Sequence, residues 1–98
     1  ILMEKLQVNT VDTIANTENN LSFDVKGYEF LVTNTTGDNV RITLGEAYNK
    51  ANSVIVPTDC SRVVTVCKVH SLSQATDSVA VMPSATSTQG LEVQCILW

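Results

Sequence analysis

Residues 28–44 read YEFLVTNTTGDNVRITL, and this stretch decides the fold class. Tyr28, Phe30 and Val32 alternate with Glu29, Leu31 and Thr33, and after a polar interval Val40, Ile42 and Leu44 alternate with Arg41 and Thr43. A period of two turns one set of side chains inward and the other toward water, the signature of a half-buried β-strand. Between the two runs, Thr36-Gly37-Asp38-Asn39 supplies residue types that tolerate positive φ. The stretch therefore predicts an antiparallel hairpin with strands at 28–34 and 40–44.

The same period extends in both directions. Leu21, Phe23 and Val25 alternate with Ser22 and Asp24, and at the C-terminus Leu91, Val93, Cys95 and Leu97 alternate with Glu92, Gln94, Ile96 and Trp98. Further strands are expected at 6–14, 54–56, 62–67 and 78–82, about eight in all, and 14 valines and 12 threonines suit pleated, half-buried strands. Residues 45–53 (GEAYNKANS) hold at most a turn or two of helix, and no stretch supports a long one. Pro57-Thr58-Asp59 and residues 83–90 (PSATSTQG) read as turns, with Pro57 and Pro83 ending the strands before them. Short strands without covering helices must bury their apolar faces against each other. The expected fold is all-β: one domain over residues 1–98, a small antiparallel β-sandwich, with the jelly roll as one form of it. Ile1-Leu2 ahead of Met3 reads as an alternative start or a processing remnant. A domain this small buries only about two thirds of its unfolded surface, which favours an oligomer or a host surface.

Charge and hydropathy remove several function classes. Ten acidic against six basic side chains, a net charge of −4 and the lack of any Lys/Arg cluster give no attraction to phosphate, so no nucleic-acid partner is expected. No apolar run approaches the roughly 20 residues of a membrane-spanning helix, so no membrane partner is expected either. The first ten residues are broken by Glu4, Lys5, Gln7 and Asn9 and do not read as a secretory signal.

The inventory of reactive groups is thin. His70 is the one imidazole and lies in a polar stretch, where it reads as a solvated loop residue rather than a catalytic base. Cys60, Cys67 and Cys95 form an odd set without regular spacing and read as reduced, mostly packed thiols, one disulfide plus one free thiol being the rival. Cys67 and His70 with Cys60 and Cys95 supply the ligand types of a zinc site, but two of these cysteines belong to expected strands rather than to paired, turn-borne ligands. No calcium loop or glycine-rich phosphate loop occurs. Tyr28, Tyr48 and Trp98 are the whole tyrosine and tryptophan supply for a sugar platform, and Asn20-Leu21-Ser22 and Asn34-Thr35-Thr36 match the glycosylation sequon. The expectation is a non-enzyme with no catalytic, cofactor-binding or metal-binding residues.

One candidate site remains, an interface. Glu92 and Gln94 keep the outer face of the last strand polar, then Ile96 and Trp98 follow at the same parity while Leu97 is expected to continue the inner face. An exposed apolar edge without charge or proline invites pairing with another chain, so the last strand is expected to be such an edge and Ile96, Leu97 and Trp98 are the candidate interface residues, with Trp98 as anchor.

The order of features from 30 to 66 also carries a resemblance. Leu31-Val32-Thr33-Asn34-Thr35, a turn, Val40-Arg41-Ile42-Thr43-Leu44-Gly45, a polar loop, Val54-Ile55-Val56-Pro57, a turn, and Ser61-Arg62-Val63-Val64-Thr65-Val66 follow each other, with a Thr/Ser-rich last hairpin over 78–93. This resembles small β-rich proteins from the structural gene clusters of tailed bacteriophages. The resemblance implies a virion structural protein of the capsid-decoration, head-fibre or tail-associated type. Its implied partners are other virion structural proteins and copies of itself, and its implied location is the virion, after assembly in the host cytoplasm. The runner-up is a carbohydrate- or receptor-binding β-sandwich module.

Overall fold

The computed structural model describes residues 7–66 and 75–98, and they form eight strands: β1 (Gln7–Thr13), β2 (Asn19–Gly27), β3 (Glu29–Asn34), β4 (Val40–Leu44), β5 (Val54–Val56), β6 (Cys60–Thr65), β7 (Thr76–Pro83) and β8 (Ser87–Leu97). A single 3₁₀ turn, Lys50–Asn52, lies between β4 and β5. The strands make two antiparallel sheets, ordered β1-β8-β3-β6 and β2-β7-β4-β5. This order is that of a jelly roll, and the expected β-sandwich is the fold observed.

The pairings nest. Gln7 lies opposite Cys95, Asn19 opposite Val81, Glu29 opposite Thr65 and Val40 opposite Val56. The chain is thus a long two-stranded ribbon whose tip is the loop between β4 and β5. Rolling that ribbon up brings β8 against β3 and β7 against β4. Inward-facing Phe30, Val32, Val40, Ile42, Val56, Val79, Val81, Leu91, Val93 and Cys95 are fully buried between the sheets. Phe23 of β2 and Phe30 of β3 meet across the layers with ring centroids 5.3 Å apart, a tilted geometry favoured by aromatic quadrupoles.

The expected hairpin of residues 28–34 and 40–44 does not form, because β3 belongs to one sheet and β4 to the other. The connection is tied to both layers. Thr35 donates its amide and its hydroxyl to the carbonyl of Gly90 in β8, while the carbonyl of Asn39 accepts from Ser84 N just after β7. Asn34, which reads as the start of a turn, is instead the last inward residue of β3 and fully buried. Its Nδ2 donates to the carbonyls of Asp38 and Val56, each at 2.8 Å, and its Oδ1 accepts from the amide of Thr36 at 2.9 Å. The side chain therefore pins the crossing loop to β5 of the opposite sheet. Gly37, with φ of 101°, takes the conformation within this loop that a side chain disfavours.

The last strand also departs from expectation. β8 is an inner strand, flanked by β1 and β3, rather than an edge. Its register against β3 slips near its end: Cys95 lies opposite Phe30 but Leu97 opposite Glu29, so Ile96 is a bulge residue. The slip turns Leu97 away from the core, and it is 47% exposed where the unbroken alternation placed it inside. The turn expected over 83–90 is shorter, since β7 runs through Pro83 and β8 begins at Ser87.

Candidate interaction surface

The two outer faces of the sandwich differ. On the β2-β7-β4-β5 sheet, the loop between β4 and β5 folds back over the strands. Thr43 Oγ1 donates to the carbonyl of Asn49 at 3.3 Å and accepts from its amide at 3.2 Å, while the amide of Tyr48 donates to Glu18 Oε2 at 3.1 Å. Asn49 Oδ1 caps the 3₁₀ turn by accepting from Ala51 N. Thr43 and its register partner Ala80 are fully buried although their parity points them outward, opposite to Ile42, Val79 and Val81.

The β1-β8-β3-β6 sheet is barer. Val8, Val63, Ile96, Leu97 and Trp98, five of the six large exposed hydrophobics among the described residues, lie on this sheet or at its C-terminal end. Register places three aliphatic residues in one line: Val8 of β1 lies beside Gln94 of β8, Gln94 beside Leu31 of β3, and Leu31 beside Val63 of β6. The next line is polar, with Thr10, Glu92, Thr33 and Ser61 in register and a hydroxyl–hydroxyl bond of 2.9 Å between Thr33 and Ser61. Among the described residues, the outward charges here are of one sign. Asp12, Glu29 and Glu92 share the outward parity, whereas Lys26 and Arg41 sit on strands of the opposite sheet and Lys50 on its covering loop. Arg62 turns its guanidinium across the sandwich edge to the carbonyl of Ile55 in β5, at 2.9 Å.

Ile96 and Leu97, the last residues of β8, and Trp98 just beyond it are 39%, 47% and 40% exposed. The aliphatic line itself was only partly legible. Leu31 is an apolar residue at a wet parity, which is the available signal, but its alignment with Val8 and Val63 depends on pairings between strands far apart in sequence.

The other singled-out residues separate. Cys60 is exposed at the start of β6, against the expectation of packing, and Cys95 is buried in β8; neither is disulfide-bonded. Two strand spacings and four residues of rise separate them, roughly 16 Å, so these two thiols do not share a metal ion. Burial pushes the Cys95 thiol above its ordinary range, partly offset by its contact with the Leu97 carbonyl. Cys67 and His70 lie outside the described residues. Asn34, an asparagine of one sequon, has its amide nitrogen buried in two hydrogen bonds and presents no acceptor for a glycan in the folded chain. A cleft of about 350 Å³ has an aliphatic floor of Ile42, Val54 and Val64 and a polar rim of Glu46, Asn52 and Thr65. Glu46 is already engaged there by Asn52 Nδ2 at 2.8 Å. No family model, curated protein or solved structure matches this chain.

Proposed function

We propose that the chain is a non-enzymatic virion structural protein that binds a repeated capsid or tail surface and associates with copies of itself. The observation that carries this reading is the run of three exposed apolar side chains, Ile96, Leu97 and Trp98, directly after the buried core residues Leu91, Val93 and Cys95 of the same strand. A surface of this kind is stable in water only as one of few such patches and gains by being covered. Trp98 supplies the large, partly desolvated aromatic that anchors interfaces at about 2 kcal/mol or more. The resemblance of residues 30–66 to tailed-phage structural proteins supports the choice of a virion, and the jelly roll is an architecture that viral capsid domains use.

The test is co-sedimentation of the full chain with assembled particles, beside a variant lacking residues 96–98. The full chain pellets with particles and the truncated one stays in the supernatant while keeping its β-type circular dichroism. A full chain that ignores particles but binds a defined glycan on an array replaces this reading with the carbohydrate-binding one.

A further inference from the structure

We infer that the outer face of the β1-β8-β3-β6 sheet receives a basic, extended segment of a partner protein, with lysine or arginine side chains on Glu29 and Glu92 and an apolar side chain between them on Leu31. This rests on the reading of the chain as one that binds a structural surface, and it names the chemistry of that surface.

Charge gives the sign of the partner. Among the described residues Asp12, Glu29 and Glu92 point outward on this sheet and no basic side chain does, whereas the strands of the opposite sheet carry Asp24 and Asp77 together with Lys26 and Arg41. The acidity therefore belongs to one face and is not the net charge spread evenly. Asp12 already accepts from the amide of Gln89 at 2.8 Å. Glu29 and Glu92 are half-buried and lie on either side of the aliphatic line of Val8, Leu31 and Val63. Complementary charge steers the encounter with a basic partner and turns away acidic ones, a second copy of this face among them.

Spacing gives the shape. Glu29 and Leu31 are alternate residues of β3, about 6.8 Å apart, and Glu92 of β8 stands beside Thr33, two residues further on and one strand across. Glu29 and Glu92 are thus roughly 14 Å apart, with Leu31 between them, on a line inclined about 20° to β3. In an extended segment the side chains i, i+2 and i+4 share one face and span about 13.6 Å, and an inclination of that size is one that sheets adopt when packed face to face. The sequence pattern that fits is Lys/Arg, any residue, an apolar residue, any residue, Lys/Arg. A segment seated this way passes beside Leu97, the register partner of Glu29, and so borders the patch of residues 96–98. Five residues cover a fraction of a standard interface, so the contact is weak for a free peptide and supplements residues 96–98 when both touch one partner.

The test titrates the peptide Lys-Thr-Leu-Thr-Lys, blocked at both ends, into the isotope-labelled full chain at about 20 mM salt and follows backbone amide signals by NMR. Signals of residues 29–33 and 91–94 move, with half-saturation at about 1 mM, and those of residues 20–26 stay in place. Raising the salt to about 300 mM weakens binding roughly fivefold or more. The double variant Glu29→Gln, Glu92→Gln loses affinity to a similar degree, whereas Asp24→Asn, Asp77→Asn, the same loss of charge on the opposite sheet, changes it less than about twofold. Shifts spread over both sheets, binding that ignores the Glu29→Gln, Glu92→Gln change, or equal binding of Glu-Thr-Leu-Thr-Glu overturns the inference. Particles separate it from the proposed function. A full chain that binds the peptide on this face but not particles upholds the inference and removes the function; one that binds particles through residues 96–98, with no peptide response, does the reverse.

Discussion

Replacing Asn34 by alanine removes the side chain that ties the β3–β4 crossing to β5 of the opposite sheet. In the native chain it makes three backbone hydrogen bonds, to Asp38 O, Val56 O and Thr36 N, and lies 2.8 Å from the Thr36 hydroxyl. That hydroxyl is also 3.0 Å from the carbonyl of Asp38 and has a single proton to give, so in the variant it turns to Asp38 and recovers one contact. Thr36 N and Val56 O lose their buried partner. Three bonds at about 1 kcal/mol net each, plus the added cost of leaving two groups desolvated, give a loss of about 3–5 kcal/mol. Total stability at about 0.05–0.15 kcal/mol per residue is of similar order, so the loss is a large fraction of it. At a slope of roughly 1.5 kcal/mol per molar, urea unfolding shifts its midpoint down by about 2–3 M. Asn34→Asp keeps the acceptor oxygen but sets a second oxygen against two carbonyls when ionised, which raises its folded pKa above the ordinary aspartate value of about 3.9. A raised folded value means the folded state holds the proton longer, so this variant is most stable below about pH 4 and weakens as pH rises toward neutrality. An alanine variant within about 1 kcal/mol of wild type, or an aspartate variant more stable at neutral pH than at acid pH, refutes the account of the crossing.

Further outcomes follow from the core. A β-carbon at Gly27 runs into Cys95 Sγ, with the Leu97 carbonyl at 3.1 Å and Phe30 Cζ at 3.3 Å, so Gly27→Ala costs about 2 kcal/mol by urea unfolding, and a second change, Cys95→Ala, relieves most of that added cost. Thiol labelling of the native chain modifies exposed Cys60 at once and Cys95 only as the chain unfolds. Because burial raises the Cys95 thiol above its ordinary 9.0, the unfolded chain releases that proton first, and this residue's contribution to stability, constant below pH 9, declines as pH rises beyond it.

The strands were legible because their inward residues recur at every second position. Phe30 and Val32, Val40 and Ile42, and Leu91, Val93 and Cys95 all read correctly as one face. Partner choice was not legible from the same pattern. Turn residues at 36–39 fit a hairpin and an inter-sheet crossing equally well by type, and the distinction lies in where Asn34, Thr35 and Asn39 send their hydrogen bonds. The C-terminal strand carries no mark of being central, since its neighbours β1 and β3 are drawn from the other end of the chain. One bulge at Ile96 was enough to move Leu97 from the expected inner face to solvent. Ile96 is exposed, as its outward parity indicated, but the exposure of Leu97 and Trp98 depends on the bulge and the strand's end, and the line of Val8, Leu31 and Val63 is a product of register across four strands.

Quantitative mass spectrometry of purified particles, from cells in which this chain is made, bears most directly on the proposal that it is a virion structural protein. Peptides of the chain are expected at a fixed ratio to the major structural proteins, retained through density-gradient purification. Their loss in the gradient, or their recovery only in the soluble fraction, contradicts the proposal.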